Sequence, residues 1–79
     1  MIVQIITPQN SKTYVDVAWL EVTSVTGNFI ILPGHAPIIA TLIPDKPLIL
    51  MLENEKTELI HLQQPAILEL THDAVTVII

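Results

Sequence analysis

Thr26-Gly27-Asn28-Phe29-Ile30-Ile31-Leu32-Pro33-Gly34-His35-Ala36-Pro37 contains both glycines of the chain and two of its six prolines. Gly27 stands before a short apolar run, Phe29 to Leu32, which reads as a buried strand. Pro33, Gly34 and Pro37 end that strand. Proline fixes φ, lacks an N–H and pushes the residue before it into an extended conformation. Glycine reaches positive φ without steric cost. Pro33-Gly34 therefore reads as a turn, most simply type II with Gly34 at its third position. His35 is then held between two rigid points.

Outward from this stretch the chain reads as β in both directions. On the N-terminal side, Lys12 to Val25 alternates imperfectly, with Tyr14, Ala18, Leu20 and Val22 on one side. It reads as two strands or one bent one, and Val15, Val17, Val22, Thr23 and Val25 favour strand over helix. Thr7-Pro8-Gln9-Asn10-Ser11 is a turn cluster, and Ile2 to Ile6 is apolar enough for a strand buried on both faces. On the C-terminal side, Ile38 to Ile43 is a strand and Pro44-Asp45-Lys46-Pro47 a break. Leu48 to Leu52 and Thr57 to Leu62 flank Glu53-Asn54-Glu55 as a hairpin, and Ala66 to Leu70 and Ala74 to Ile79 flank Thr71-His72-Asp73 as another. Pro65 predicts an edge position or a bulge. The closing run Val75 to Ile79 requires a paired strand. Breakers recur too often for a sustained helical period. The expectation is an all-β fold over residues 1–79: a small β-sandwich of about eight to ten short strands in two packed sheets, with no helix longer than one turn.

Composition limits function. The 79 residues are 51% hydrophobic and only 14% charged, against roughly a quarter charged in an average domain. A domain this small cannot enclose that much apolar surface, so an apolar patch is expected outside, and such patches mark partner sites. A net charge of −5 with three basic residues argues against nucleic acid and against docking on anionic lipid by charge. No apolar run approaches the ~18 residues of a membrane span, and no secretory signal pattern opens the chain. Without cysteine there is neither disulfide nor thiolate metal site. His61 and His72, with Asp73 or Glu58, have no metal-ligand spacing. Glu53, Glu55 and Glu58 read as a solvated hairpin face. No serine has a nucleophile context, and no glycine-rich phosphate loop is present.

The string Gly27-Asn28-Phe29-Ile30-Ile31-Leu32-Pro33-Gly34-His35-Ala36-Pro37-Ile38 closely resembles the N-terminal domain of the F-type ATP synthase epsilon subunit, which typically reads Gly-Glu-Phe-Gly-Ile-Leu-Pro-Gly-His-Ala-Pro-Leu. Ile67-Leu68-Glu69-Leu70 is similar to that family's Phe-Leu-Glu-Val, and Ala74-Val75-Thr76-Val77 to its Asn-Val-Thr-Val. The resemblance spans nearly the whole chain. Three departures replace permissive backbone by stiffer residues: Ile30 for the glycine of Phe-Gly-Ile, Pro44-Asp45 for Pro-Gly, and Pro65-Ala66 near a Gly-Gly. Most epsilon subunits continue into a C-terminal helical hairpin that restrains ATP hydrolysis. Nothing follows Ile79 here, so the expectation is a short form or an N-terminal domain without that hairpin and without that restraint.

The resemblance implies a ten-stranded sandwich at the foot of the rotating central stalk. Its role there is non-catalytic and needs no cofactor. It binds the gamma subunit and the c-ring, and so couples proton translocation to ATP synthesis. It further implies a peripheral place on the cytoplasmic face of the inner (plasma) membrane or its organellar equivalent, with no direct membrane insertion. Ser24, Val25, Thr26, Gly27 and Asn28 correspond to a loop facing the c-ring, with Asn28 where many relatives carry glutamate; an ordinary exposed hairpin tip is the plainer alternative. Pro33, Gly34, His35, Ala36 and Pro37 correspond to a rigid loop expected beside that tip. His35 either meets a partner or hydrogen-bonds loop backbone and holds the turn, since proline leaves carbonyls without donors. Trp19 and Tyr14 are interface anchors or core. A free-standing scaffold or regulatory protein derived from the same domain is the competing reading, favoured by the replaced glycines.

Overall fold

Nine strands and no helix make up the computed structural model, which describes residues 1–79. They are β1 (Ile2–Ile6), β2 (Ser11–Tyr14), β3 (Val17–Ser24), β4 (Gly27–Ile31), β5 (Ile38–Leu42), β6 (Leu48–Leu52), β7 (Thr57–Ile60), β8 (Ala66–Thr71) and β9 (Ala74–Ile78). All nine belong to one hydrogen-bonded sheet in the order β2-β1-β9-β8-β5-β3-β6-β7, with β4 on the other edge of β3. The sheet curls into two leaves, β2-β1-β9-β8-β5 and β4-β3-β6-β7, around one core. The expected two sheets are thus one, joined where Ser24 of β3 pairs with Leu42 of β5.

The alternation of side chains along each strand fills the core. Val3 and Ile5, Leu68 and Leu70, Val75 and Val77 point inward from the first leaf, and Leu20, Val22, Ile31, Leu48 and Leu50 from the second. The two ends of the chain meet: β1 runs parallel to β9, from Ile2↔Ala74 to Ile6↔Ile78. A parallel pair needs a long crossover, and here it is nearly the entire chain. The final apolar run is therefore an inner strand, between β1 and β8.

Several expectations change. β1 is not buried on both faces: Val3 and Ile5 are inside, while Ile2 is 48% exposed, because only one side of this leaf is covered. The run Phe29 to Leu32 is likewise half-buried. Ile31 is inside, but Ile30 and Leu32 are exposed, since β4 borders the second leaf and nothing packs on its outer side. Lys12 to Val25 is two strands, divided at Val15-Asp16, where Asp16 adopts φ 54°. Within β3 the register shifts between Val17 and Trp19, so one residue, Ala18, is extra. This bulge reverses the alternation, and Val17 rather than Ala18 joins Leu20 and Val22 in the core. Pro65 lies neither on an edge nor at a bulge. It precedes β8, a strand paired on both sides, where its missing N–H costs no ladder bond.

With only two glycines, the chain places other residues in left-handed backbone. Asp16, Glu55, His72 and Asp73 all have positive φ. His72 (φ 47°) and Asp73 (φ 62°) are the two central residues of the β8–β9 hairpin, closed by Thr71↔Ala74. Two consecutive positive φ values define a type I′ turn, the hand that suits strand twist. Glu55 (φ 70°) completes the β6–β7 turn, its N–H donating to the Leu52 carbonyl at 2.9 Å. An L-residue with a Cβ pays about 1–2 kcal/mol in that region. Glu55→Gly is therefore expected to stabilise the domain by about 0.5–1 kcal/mol after glycine's entropy is subtracted. An unchanged or lowered midpoint in thermal and urea unfolding would contradict the strain argument.

Candidate functional site

The two groups of residues singled out in the sequence lie at opposite ends of β4, not side by side. Five residues of extended chain, at about 3.3 Å each, separate the β3–β4 tip from the loop after β4. The tip shares its end of the molecule with the β5–β6 connection: the Val25 N–H donates to the Thr41 carbonyl and the Ile43 N–H to the Thr23 carbonyl, both at 3.1 Å. The Leu32–Pro37 loop is at the far end, against the β8–β9 turn.

At the tip, Ser24 is buried and serves the turn itself. Its hydroxyl donates to the Gly27 carbonyl at 3.0 Å, accepts the Thr26 N–H at 3.2 Å and lies 3.0 Å from the Thr26 hydroxyl. What the tip presents to solvent is Val25, Thr26 and Gly27. Gly27 adopts φ +131°, a value few other residues take. The Asn28 side chain is exposed but anchored, its amide donating to the Glu21 carboxylate at 3.2 Å and the Thr23 hydroxyl at 3.1 Å. The neighbouring loops Ile43–Pro47 and His61–Pro65 carry Asp45 and Lys46 as their only Asp, Glu, Lys or Arg side chains. The opposite end is richer in carboxylates: Asp16, Glu53, Glu55 and Asp73.

The Pro33-Gly34 turn is type II in its essentials. The His35 N–H donates to the Leu32 carbonyl at 3.1 Å across Pro33 and Gly34, and Gly34 has φ +83°. The Gly34 N–H points out of the turn and donates to the Asp73 carboxylate at 2.7 Å, across 39 residues of sequence. His35 Nδ1 lies 2.7 Å from the carbonyl of Ala36. A carbonyl only accepts, so Nδ1 carries the proton and the ring holds the loop backbone. Gly34, His35, Pro37, His72 and Asp73 together line a shallow dish. Sequence reading missed Asp73 as the anchor of this loop. Thr71-His72-Asp73 was legible as a turn, but no local signal indicates what a carboxylate so distant in sequence will meet.

Trp19 is half-buried on the outer side of the second leaf, while Tyr14 is core, with the Lys12 ammonium 5.0 Å from its ring centroid. Part of the apolar surface expected from composition is gathered on the first leaf's outer side. Ile6, Ile78 and Ile67 are paired in a row across β1, β9 and β8. Ile2 and Ile39 lie on the same side, and Ile39, at 74%, is the most exposed large apolar residue.

An added Cβ at Gly34 would meet nothing within 4 Å, so Gly34→Ala tests backbone strain alone. It is expected to cost about 1–3 kcal/mol, seen as a lower unfolding midpoint. Asp73→Ala should cost about 0.5–1.5 kcal/mol and speed hydrogen exchange at the Gly34 amide. Asp73→Asn keeps an oxygen acceptor and tolerance of left-handed backbone, so it should leave that amide protected. Exchange in the Ala variant as slow as in wild type would show that the carboxylate does not hold the loop.

Comparison with known proteins places this geometry. The family model described as ATP synthase, Delta/Epsilon chain, beta-sandwich domain matches residues 1–79. A search of curated proteins found no match. Among solved structures, a chain of the central stalk and c-ring of the Tetrahymena thermophila mitochondrial ATP synthase, determined by cryo-EM, superposes with a TM-score of 0.72 at 13% identity. The match covers 98% of this chain and 60% of that one; at this identity it speaks for the fold. The family match over every residue is the decisive finding: the chain belongs to the family of ATP synthase delta/epsilon chain β-sandwich domains.

Proposed function

We propose that this domain is a non-catalytic, epsilon-type part of the central stalk of an F-type ATP synthase. In this reading it binds the gamma subunit and the c-ring and helps couple proton translocation to ATP synthesis. The family match over residues 1–79 carries the reading. The architecture is suited to it. A sheet continuous from β2 to β7 deforms little under load, and the turns at both ends are locked by hydrogen bonds rather than left as long loops. A peripheral position on the membrane-bound complex follows from this assignment. No helix is long and apolar enough to cross a membrane.

The isoleucine side of the first leaf is the surface we assign to gamma. Ile2, Ile39, Ile67 and Ile78 are each at least 44% exposed on it, and removing such area from water contributes about 25 cal/mol per Å². The exposed tip residues Val25, Thr26, Gly27 and Asn28 are assigned to the ring. That end bears few charges, so its contact depends on shape and hydrogen bonds more than on ion pairing. Ser24 supports the tip from inside.

The experiment is co-purification with gamma, followed by reconstitution of proton-driven ATP synthesis. Ile39→Lys and Ile67→Lys change exposed side chains and should leave folding within about 0.5 kcal/mol of wild type while weakening gamma capture at least ~10-fold, equivalent to about 1.4 kcal/mol. Asn28→Lys should spare folding and gamma capture but lower the coupling of proton flow to ATP synthesis. Failure of the wild-type domain to capture gamma would favour the free-standing scaffold. If both lysine variants bind gamma normally, the gamma-facing surface lies elsewhere.

A further inference from the structure

We infer that the outer side of the second leaf is a docking surface for an apolar stretch of a partner polypeptide that carries one arginine, with Glu21 as the receiving carboxylate. The arrangement follows from the register. Leu20 and Val22 of β3 are buried, so Trp19, Glu21 and Thr23 turn outward. Glu21 pairs with Ile30 of β4 on one edge and with Ile49 of β6 on the other, and Ile49 pairs with Leu59 of β7. One row across all four strands therefore reads Ile-Glu-Ile-Leu. The next row pairs Trp19 with Met51 and Met51 with Thr57, and the row on the other side pairs Thr23 with Asn28. Glu21 is the one ionisable side chain in these rows, and it stands in the middle of them, half-buried.

No cation of the chain serves this carboxylate. Lys12 lies over Tyr14 on the first leaf, Lys46 is in the β5–β6 connection and Lys56 in the β6–β7 turn. Glu21 Oε2 accepts from the neutral Asn28 amide at 3.2 Å, and Oε1 has no donor within the chain. Apolar side chains laid over this face would strip water from the carboxylate, an unfavourable exchange unless a cation arrives with them. Arginine fits best. Its fork bonds the carboxylate, and its flat face suits the Trp19 indole, two residues along the same strand and about 7 Å away at strand spacing. The same charge rejects other occupants. A second copy joined through this face by two-fold symmetry would bring Glu21 against Glu21 with no cation between them. An anionic lipid surface or a nucleic acid would meet only a carboxylate there. Glu69, on the first leaf's outer side, makes no such demand: it is exposed, and its row also holds the polar Gln4 and Thr76. The Glu21 face lies on the other leaf from the isoleucine side, and no other subunit enters its test.

The probe is a short blocked peptide of leucine and alanine around one central arginine, with serine tails for solubility, titrated into the folded domain. Its controls carry citrulline, lysine or glutamate at the centre; citrulline keeps the shape of arginine and lacks the charge. Trp19, the chain's single tryptophan, reports contact through its emission, and amide NMR locates it. Shifts are expected at Trp19, Glu21, Ile30, Ile49 and Met51. The arginine peptide should bind about 5-fold tighter than the citrulline one, the scale of a partly exposed ion pair, with the lysine peptide between them. Glu21→Gln keeps the shape and the acceptor for Asn28, and should abolish that preference. Glu21→Lys should make the glutamate peptide the better binder. The proposal is overturned if wild type binds the arginine and citrulline peptides equally, if lysine serves as well as arginine, if the shifts fall on the isoleucine side instead, or if no peptide binds. It is equally overturned if Glu21→Gln, folded by its amide dispersion, still prefers arginine. Movement of the Trp19 resonances with domain concentration alone would overturn it in favour of a second copy.

Discussion

β3 is the strand on which the structure depends, because it has three neighbours on two edges. One edge is taken by β4. The other is shared: its first half pairs with β6, and its end reaches Leu42 of β5. Any strand that pairs with two others in succession must leave the plane of the first, and the bulge at Ala18 supplies the extra twist at its start. The result is a sheet that closes over its own apolar side. Sixteen buried residues from both leaves then form one cluster. The β3–β5 joint makes the two leaves one continuous sheet around that cluster.

The same economy explains where strain sits. Nine strands in 79 residues require tight connections. The chain has glycine at only two of six positive-φ positions. Gly27 and Gly34 occupy the ends of β4, where the functional reading is concentrated. Asp16, Glu55, His72 and Asp73 take the rest and carry the cost. For Asp73 the cost has a return: from its left-handed position the carboxylate reaches the Gly34 N–H. A turn at one end of the chain's second half thereby fixes a loop from its middle.

The stalk assignment connects these features. In the proposed role the domain would have to hold its shape between two contacts, and the molecule presents two different ends and one apolar side. The sparsely charged tip, the acid-rich opposite end and the isoleucine side are distinct surfaces on one folded domain. Excess hydrophobicity, which looks like a liability for an isolated small domain, is what a subunit enclosed in a larger assembly is expected to show.

By itself the sequence determined the strands, the breaks between them and the family. Those depend on local chemistry: β-branched runs, Pro33-Gly34 as a turn, and a string of residues specific enough to be matched. The type II geometry of that turn and the two hairpins were legible for the same reason. The sequence did not determine which strands meet or which side of each is covered. It left β1 and β4 looking fully buried, because an apolar residue reads alike whether it faces the core or a partner's surface. It also set the glycine tip and the Pro33–Pro37 loop side by side, since adjacency in sequence says nothing about the span of an intervening strand. The parallel β1–β9 pair, the joint at Ser24 and Leu42, the anchoring of Gly34 by Asp73 and the unpaired edge of β4 are contacts between segments far apart in the chain or consequences of them. Only closure of the sheet decided them.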